Sequence, residues 1–292
     1  MTATQNLTTD LAIIGGGLAG CAAAIEAAKY GLHVTLLDKG ILGRSGSSCT
    51  AGGGFSFATL HGDADTLSEA RARHAADTMA AGADLNDPRL VEALVEDAPF
   101  RVSELEYLGP RFPRDANGRI VTVRAPAHDE PRTASTQDGG PALMGCLERE
   151  VFHRRVRVLE QAMVARLFIR DDRMAGLYAL DATREQAYAL SARAVILAAG
   201  SATQLYPYAS ANYRTTGDAY GLVWPLGLGL ANMEFNEFTL IPKVGKRVTS
   251  TPGISAMMAA GSHLINGIGE RFMPHYDTQR TEMTTRGRLV QA

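Results

Sequence analysis

The sequence predicts an α/β fold, and three observations carry that prediction. A short apolar run at residues 11–14 leads into Gly15-Gly16-Gly17-Leu18-Ala19-Gly20 and an Ala-rich stretch to Tyr30, after which a second apolar run at 34–37 ends on Asp38. Four segments between 156 and 191 alternate apolar and polar residues, the period of half-buried strands. A wholly apolar run at 194–199 then stops at Gly200-Ser201, the pattern of a buried strand.

The first observation is the most specific. It reads as a strand, a tight turn, a helix and a second strand with an acid at its end. Gly15 permits the sharp turn out of the strand, Gly17 lets backbone approach a ligand without a Cβ in the way, and Gly20 lets the helix lie close to the sheet. The exposed N–H groups of the helix N-terminus, with Leu18 and Ala19 in its first turn, then face the two negative charges of a pyrophosphate. Asp38 stands where a carboxylate accepts hydrogen bonds from adenosine ribose hydroxyls. Together these predict a dinucleotide site.

The remaining elements follow in order. Residues 40–54 form a glycine- and serine-rich loop ending near Phe55. Residues 66–81 and 88–108 have helical spacing, with Asp87 as N-cap and Pro88 at the first helical position. From 110 to 141 the chain is rich in Pro, Arg, Asp and Gly and reads as loop, with one hairpin around Asn117-Gly118. A helix is expected over 142–153. Strands follow at 156–160, 162–170, 174–181 and 186–191, with turns at Asp171-Asp172 and 183–185. There is no internal repeat and no low-complexity tract.

Composition narrows the function classes. At 292 residues the chain is long enough for a full core and a second lobe. A net charge of −2 gives no electrostatic basis for binding nucleic acid or an anionic membrane. Cys21, Cys49 and Cys146 are too few and too spread for a disulfide framework, a zinc site or an iron–sulfur cluster, so no metal site is expected and reduced thiols in a cytoplasmic protein are the plain reading. The first ten residues lack the charged and apolar regions of a secretory signal. The longest apolar passage, 221–233, is interrupted by Pro225 and three glycines and is too short to span a bilayer. The expectation is a cytoplasmic protein, peripheral to a membrane only through a partner.

Several motifs then occur in a fixed order. The opening unit is followed by Arg44-Ser45-Gly46, Ala51-Gly52-Gly53, Val195-Ile196-Leu197-Ala198-Ala199-Gly200, Thr216-Gly217-Asp218, Asn232-Met233-Glu234-Phe235 and Gly269-Glu270-Arg271-Phe272-Met273. Together they resemble the flavoprotein subunits of succinate dehydrogenase and fumarate reductase, with the related L-aspartate oxidases and adenylylsulfate reductases, over nearly the whole chain. The resemblance implies an FAD-binding domain of glutathione-reductase type, Rossmann-like with a β-rich insert, over residues 1–235. A partial α+β capping domain for substrate would occupy 236–292. It implies FAD rather than NAD, and the insert and the 40–54 loop count against a plain nicotinamide dehydrogenase.

Carried over residue by residue, the resemblance places Gly15, Gly17 and Gly20 at the pyrophosphate and Asp38 at the ribose. The loop containing Lys39, Gly40, Arg44, Ser45, Gly46, Ser47, Ala51, Gly52 and Gly53 would hold the ribityl chain and the isoalloxazine edge. Ala162 or Met163 would lie near the adenine, Ala199 and Gly200 against the pyrophosphate, and Asp218 against the flavin. Dehydrogenases of this family carry a histidine after the Arg-Ser pair that bonds to the flavin; Gly46 stands there, so a non-covalent FAD is expected.

On the catalytic side the resemblance thins. The arginine that delivers a proton in the family matches Arg286, which becomes the candidate for proton donation or for binding an anionic group. Arginine is so weak an acid that this role requires a relay restoring its proton. The family's Thr-Glu-x-x-Arg relay segment falls at Ile254-Ser255-Ala256-Met257-Met258, and its Phe-His-Pro-Thr falls at Phe238-Thr239-Leu240-Ile241. Losing those groups removes charge-assisted bonds of roughly 1.5–3 kcal/mol each from a dianion clamp, and favours a larger or less charged substrate. Arg132 and Asp138 either line the substrate pocket or belong to a loop salt bridge. His263 reads as a structural or interface histidine, and Cys49 as a packing residue.

The implied function is an FAD-dependent oxidoreductase, using flavin N5 hydride chemistry on an organic acid or related anion and exchanging electrons with a protein partner. One alternative is an adenylylsulfate-reductase-like alpha subunit with an iron–sulfur partner. Another is a catalytically incomplete FAD-binding fragment, because family members continue past the length of this chain; a second polypeptide or a missing C-terminal half would complete it.

Overall fold

A computed structural model describes residues 3–58, 64–241, 243–244, 247–248 and 253–292. The chain divides into two compact units, Met1–Ala51 with Asp138–Met233, and Gly52–Gln137 with Glu234–Ala292. The sequence boundary at 235 falls beside the break between Met233 and Glu234. Residues 52–137, read from sequence as part of the first domain, group with the C-terminal residues.

The first unit is built on one six-stranded sheet. Its strands are β1 (Ala3–Ile14), β2 (Val34–Leu37), β5 (Arg157–Leu159), β6 (Met163–Arg170), β7 (Arg173–Asp181) and β8 (Gln186–Leu197), in the order β5-β2-β1-β8-β7-β6. All four residues of β2 are buried, as a Val-Thr-Leu-Leu run between two parallel neighbours requires. β1 pairs in parallel with β2 from Leu11↔Val34 to Ile14↔Leu37, and β2 with β5.

Two elements run longer than the sequence pattern indicates. β1 begins at Ala3 because its polar first half pairs with β8, in register from Ala3↔Gln186 to Ile14↔Leu197. β8 is one strand where alternation and a separate apolar run predict two. Its first half lies between β1 and β7, paired antiparallel to β7 from Asp181↔Gln186 to Gly176↔Ser191, while its second half continues beside β1. The insert hairpin β6–β7 and the parallel sheet therefore share a backbone.

Helix α1 (Leu18–Lys29) is Ala-rich and buries Cys21 and Ala24 completely. Gly20 explains how close it lies: a Cβ there would overlap the Gly15 carbonyl oxygen. The core joins Ile14 and Leu37 of the parallel strands to Val164, Leu177 and Leu190 of the insert and to Leu222 of the short α5 (Asp218–Val223). α4 (Gly139–His153) starts three residues earlier than the sequence indicates, the Gly140 N–H donating to Ala51 O at 2.8 Å.

The second unit has an antiparallel pair, β3 (Gly54–Ser56) with β4 (Thr133–Ser135), and two long helices, α2 (Ala64–Ala81) and α3 (Pro88–Tyr107). Asp87 caps α3 as its sequence position predicts, accepting from Arg89 N at 3.0 Å. A tight turn at Asn117-Gly118 closes a bridge between Arg114 and Ile120. One core joins Phe57, Val102, Phe112 and Ala134. A second joins Ile254 and Met258 of α6 (Ile254–Ala259) to Met273 of α7 (Met273–Tyr276) and Leu289 of α8 (Arg286–Gln291).

Buried acids tie this second core together. Glu282 is 3 % exposed; it accepts from Arg271 Nη2 at 2.6 Å and Nε at 3.0 Å and from Leu264 N at 3.2 Å, and the guanidinium holds its carboxyl at about 2 against an ordinary 4.5. Asp277, bonded by the Thr284 hydroxyl and the Arg280 and Gln279 N–H groups, is likewise lowered to about 2 from 3.8.

Two outcomes are expected. Gly20→Val forces a side chain into the Gly15 carbonyl and lowers stability by about 1–3 kcal/mol or more in urea unfolding. Because both depressed carboxyls stabilise the fold only when ionised, their contribution is level above about pH 5 and is lost as pH drops from 4.5 toward 2. Glu282→Gln flattens that limb in a pH series of melts.

Candidate functional site

The carboxyl ends of β1, β2 and β8 converge on a cavity of about 300 Å³, bordered by Ile14, Leu37 and Ala198. Ligands of open α/β sheets bind at such strand ends. Gly15 makes the turn at φ +109°, where an L side chain is strained and a Cβ would overlap Ala198 O. Gly17 is the extended N-cap of α1, with no side-chain cap of its own. Ser48, from the following loop, accepts from Leu18 N at 3.1 Å instead.

Asp38 knits the floor of the cavity. Its Oδ2 accepts from Gly16 N at 2.7 Å and its Oδ1 from Gly40 N at 2.6 Å, and the side chain is buried. Burial pushes its carboxyl pKa up, against the lowering effect of those two N–H bonds and of Arg214 and Lys39. Its backbone is held as well, Asp38 N donating to Leu159 O and Ala162 N to Asp38 O, both at 2.9 Å.

Most of the residues singled out in the sequence meet here. Gly15, Gly17, Leu18 and Ala19 form one wall; Asp38, Lys39, Ser45, Gly46 and Ser47 form a second. Ala162, Ala199, Gly200 and Asp218 complete the lining. Gly20 and Gly40 act behind it, Gly20 by close helix packing and Gly40 through its N–H on Asp38. Arg44 is exposed and Met163 is 51 % exposed, so of the Ala162–Met163 pair only Ala162 borders the cavity. Ala51 instead anchors α4 through its carbonyl, and Gly52 and Gly53 belong to the second unit, where Gly53 O accepts from Thr136 N at 3.0 Å.

Sequence reading missed Gly16, Ser48, Arg214 and Thr215 among the lining residues. Arg214 and Thr215 lie immediately before Thr216-Gly217-Asp218, a proximity that was the available signal. Arg214 Nη1 donates to Lys39 O at 2.9 Å. Lys39 Nζ in turn reaches Asp218 Oδ2 and Thr216 Oγ1, each at 2.6 Å.

The other candidates are not among the residues that line this cavity. Arg286, in the second unit, donates through Nη1 to Glu237 at 2.8 Å and through Nη2 to Ser255 at 3.5 Å. Arg132 is 4 % exposed and ion-paired with Asp77 beside His128, and burial lowers the pKa of His74 to about 4 in the same cluster. Asp138 is the left-handed N-cap of α4. His263 is exposed, and Cys49 donates through Sγ to Gly46 O at 3.1 Å. Among the described residues no cluster of His, Cys, Asp or Glu is arranged to hold a metal ion, and no helix is long and apolar enough to cross a membrane.

A glycine turn, a helix N-terminus and a buried acid around one cavity are the parts of a dinucleotide cradle, and residues 10–292 match the FAD binding domain family model. The chain belongs to that family. It is 33 % identical over 288 residues to an uncharacterised FAD-dependent oxidoreductase of Methanocaldococcus jannaschii, covering 98 % of this chain and 51 % of the relative. It is 32 % identical to one of the subunits of the CoM/CoB fumarate reductase of Methanothermobacter marburgensis, covering 97 % and 51 %. In structure it superposes on Mycobacterium smegmatis Sdh1 in complex with UQ1 with a TM-score of 0.80 and 28 % identity, over 98 % of this chain and 49 % of that one. Against E. coli quinol fumarate reductase FrdA the TM-score is 0.87 at 24 % identity, over 98 % and 50 %. The chain spans about half the length of the curated relatives it matches.

The residues present fit FAD. Gly15 and Gly17 leave the strand ends free of side chains, and the first turn of α1 supplies N–H groups for a pyrophosphate. Asp38→Asn puts an amide against two backbone N–H donors. It is expected to cost about 1–3 kcal/mol in unfolding of the apoprotein and to weaken FAD binding in a flavin titration.

Proposed function

We propose that this chain forms the FAD-binding part of an oxidoreductase of the fumarate reductase and succinate dehydrogenase flavoprotein type. The carrying observation is the cavity that Gly15, Gly17, Asp38, Ser45 and Asp218 line at the strand ends, together with the family match over residues 10–292. Bound FAD supplies two-electron hydride chemistry. The chain's own residues bind its charged and polar parts: N–H groups of the α1 turn face phosphate, Asp38 and Ser45 offer acceptors, and Ile14, Leu37 and Leu222 exclude water.

Attachment is non-covalent in this reading. Gly46 borders the cavity at φ +86°, with no side chain to bond a flavin. The substrate is an organic acid or related anion, less charged or larger than a C4 dicarboxylate. Two features support that. Ile254 and Met258, at positions where the resemblance calls for polar groups, are packed in an apolar core, and the Arg286 guanidinium already has a carboxylate neighbour in Glu237. Arg286 is the cation that this reading assigns to hold an anionic group or to pass a proton, with Glu237 as its immediate acceptor. Electrons leave to a protein partner, since the relatives are named as subunits.

The test is the visible spectrum of the purified chain before and after acid precipitation. About one flavin per chain, released into the supernatant, is the expected result. Colour retained in the precipitate overturns the role given to Gly46, and a colourless protein that FAD cannot restore overturns the cofactor reading. Arg286→Gln is expected to leave flavin content and melting temperature nearly unchanged, because an exposed ion pair contributes about 0–1 kcal/mol, while slowing flavin reoxidation by the acceptor acid at least tenfold.

A further inference from the structure

The polar groups on the two sides of the cavity are joined to each other. The β2 side contributes Lys39, and the other side contributes Arg214 and Asp218, the first residue of α5, with Thr216 just behind the lining between them. Lys39 Nζ lies 2.6 Å from Asp218 Oδ2 and donates to Thr216 Oγ1 at 2.6 Å; Thr216 Oγ1 donates to Asp218 Oδ1 at 2.5 Å; Arg214 Nη1 returns to Lys39 O at 2.9 Å. Lys39 and Asp218 are only 23 % and 17 % exposed, so their attraction is less screened than that of a surface pair.

Each side is also braced by bonds of its own. Asp38 and the Ser45 hydroxyl, which accepts from Ile41 N at 2.7 Å, fix the β2 loop. On the other side, Thr203 and the buried Thr215 share a hydrogen bond of 2.8 Å, Gln204 N donates to Thr215 O, and Gly217 sits at φ +75° where a Cβ would press on Ala202. Two walls joined by a partly buried ion pair and two further hydrogen bonds, with the Thr216–Asp218 bond bracing one side, make a clasp.

Resting on the FAD reading, we propose that Lys39, Thr216 and Asp218, backed by Arg214, form a cofactor clasp. These groups set how long FAD stays bound rather than acting as independent contacts to it. Asp218 then serves as a positioning residue: both of its oxygens are engaged by this chain's own side chains, and its effect on the cofactor passes through Lys39.

The experiment is a double-mutant cycle on FAD release from the holoprotein, followed by the rise in free-flavin fluorescence after large dilution into buffer. Lys39→Met and Asp218→Asn are each expected to speed release about tenfold, and the double variant no more than the faster single one. Thr216→Val, which is isosteric and keeps the ion pair, is expected to give a smaller increase; it reports on the clasp should either charge variant fail to fold by circular dichroism. Multiplicative effects in the double variant overturn the clasp in favour of separate cofactor contacts. Release unchanged within twofold in every variant overturns it outright while leaving the FAD reading standing. A wild-type chain that takes up no FAD overturns both.

Discussion

The first unit depends on one carboxylate. Asp38 sits at the end of β2 and bonds, through its two oxygens, the N–H of Gly16 in the β1–α1 turn and the N–H of Gly40 in the loop beyond. Its backbone bonds reach Leu159 and Ala162, at the join of β5 and β6. Three connections that are far apart in sequence thus meet on one residue. Burying a charge is costly unless it is satisfied by hydrogen bonds, and here the satisfaction comes from backbone that has to be in place for the cavity to exist. Burial pushes its pKa up, and the two N–H bonds, with the Arg214 and Lys39 charges, work against that push.

That arrangement divides labour around the cavity. The α1 side is almost free of side chains: Gly15, Gly16 and Gly17 present backbone, and the nearest polar side chain, Ser48, is already spent on Leu18 N. The opposite side carries the charge, with Lys39 and Arg214 positive and Asp38 and Asp218 negative. A phosphate-bearing ligand suits such a site because α1-turn N–H groups and the Lys39 and Arg214 cations border it, while the carboxylate at the glycine turn, Asp38, is engaged by the Gly16 and Gly40 N–H groups. It also explains why a buried carboxylate at Asp38 is compatible with an anionic cofactor, since its oxygens are turned into the backbone.

Legibility from sequence followed the strength of local signals. The glycine unit, β2, the N-cap Asp87 and the Asn117-Gly118 turn each depend on a residue whose backbone conformation or capping chemistry is nearly unique, and all four are where the pattern puts them. The first half of β1 was invisible because Thr4, Gln5, Asn6, Thr8 and Thr9 do not alternate as a strand should; only pairing along β8 makes them one. Arg214 was missed for a similar reason. It carries no motif, and it comes to the cavity through a bond to the carbonyl of Lys39, 175 positions away. The grouping of residues 52–137 with the C-terminal residues is likewise a long-range property that periodicity does not encode.

The second unit shows how chemistry can change while packing persists. Ile254 and Met258 lie in an apolar core with Met273 and Leu289, so polar groups substituted there would have to be desolvated. Ser255 and Glu237 remain the polar neighbours of Arg286, and together they leave that guanidinium paired with one negative charge. In the reading proposed above, a dicarboxylate would bring two charges to a guanidinium that already has the Glu237 carboxylate beside it, whereas a monoanion or a neutral carbonyl accepting one hydrogen bond from Arg286 would ask less of it.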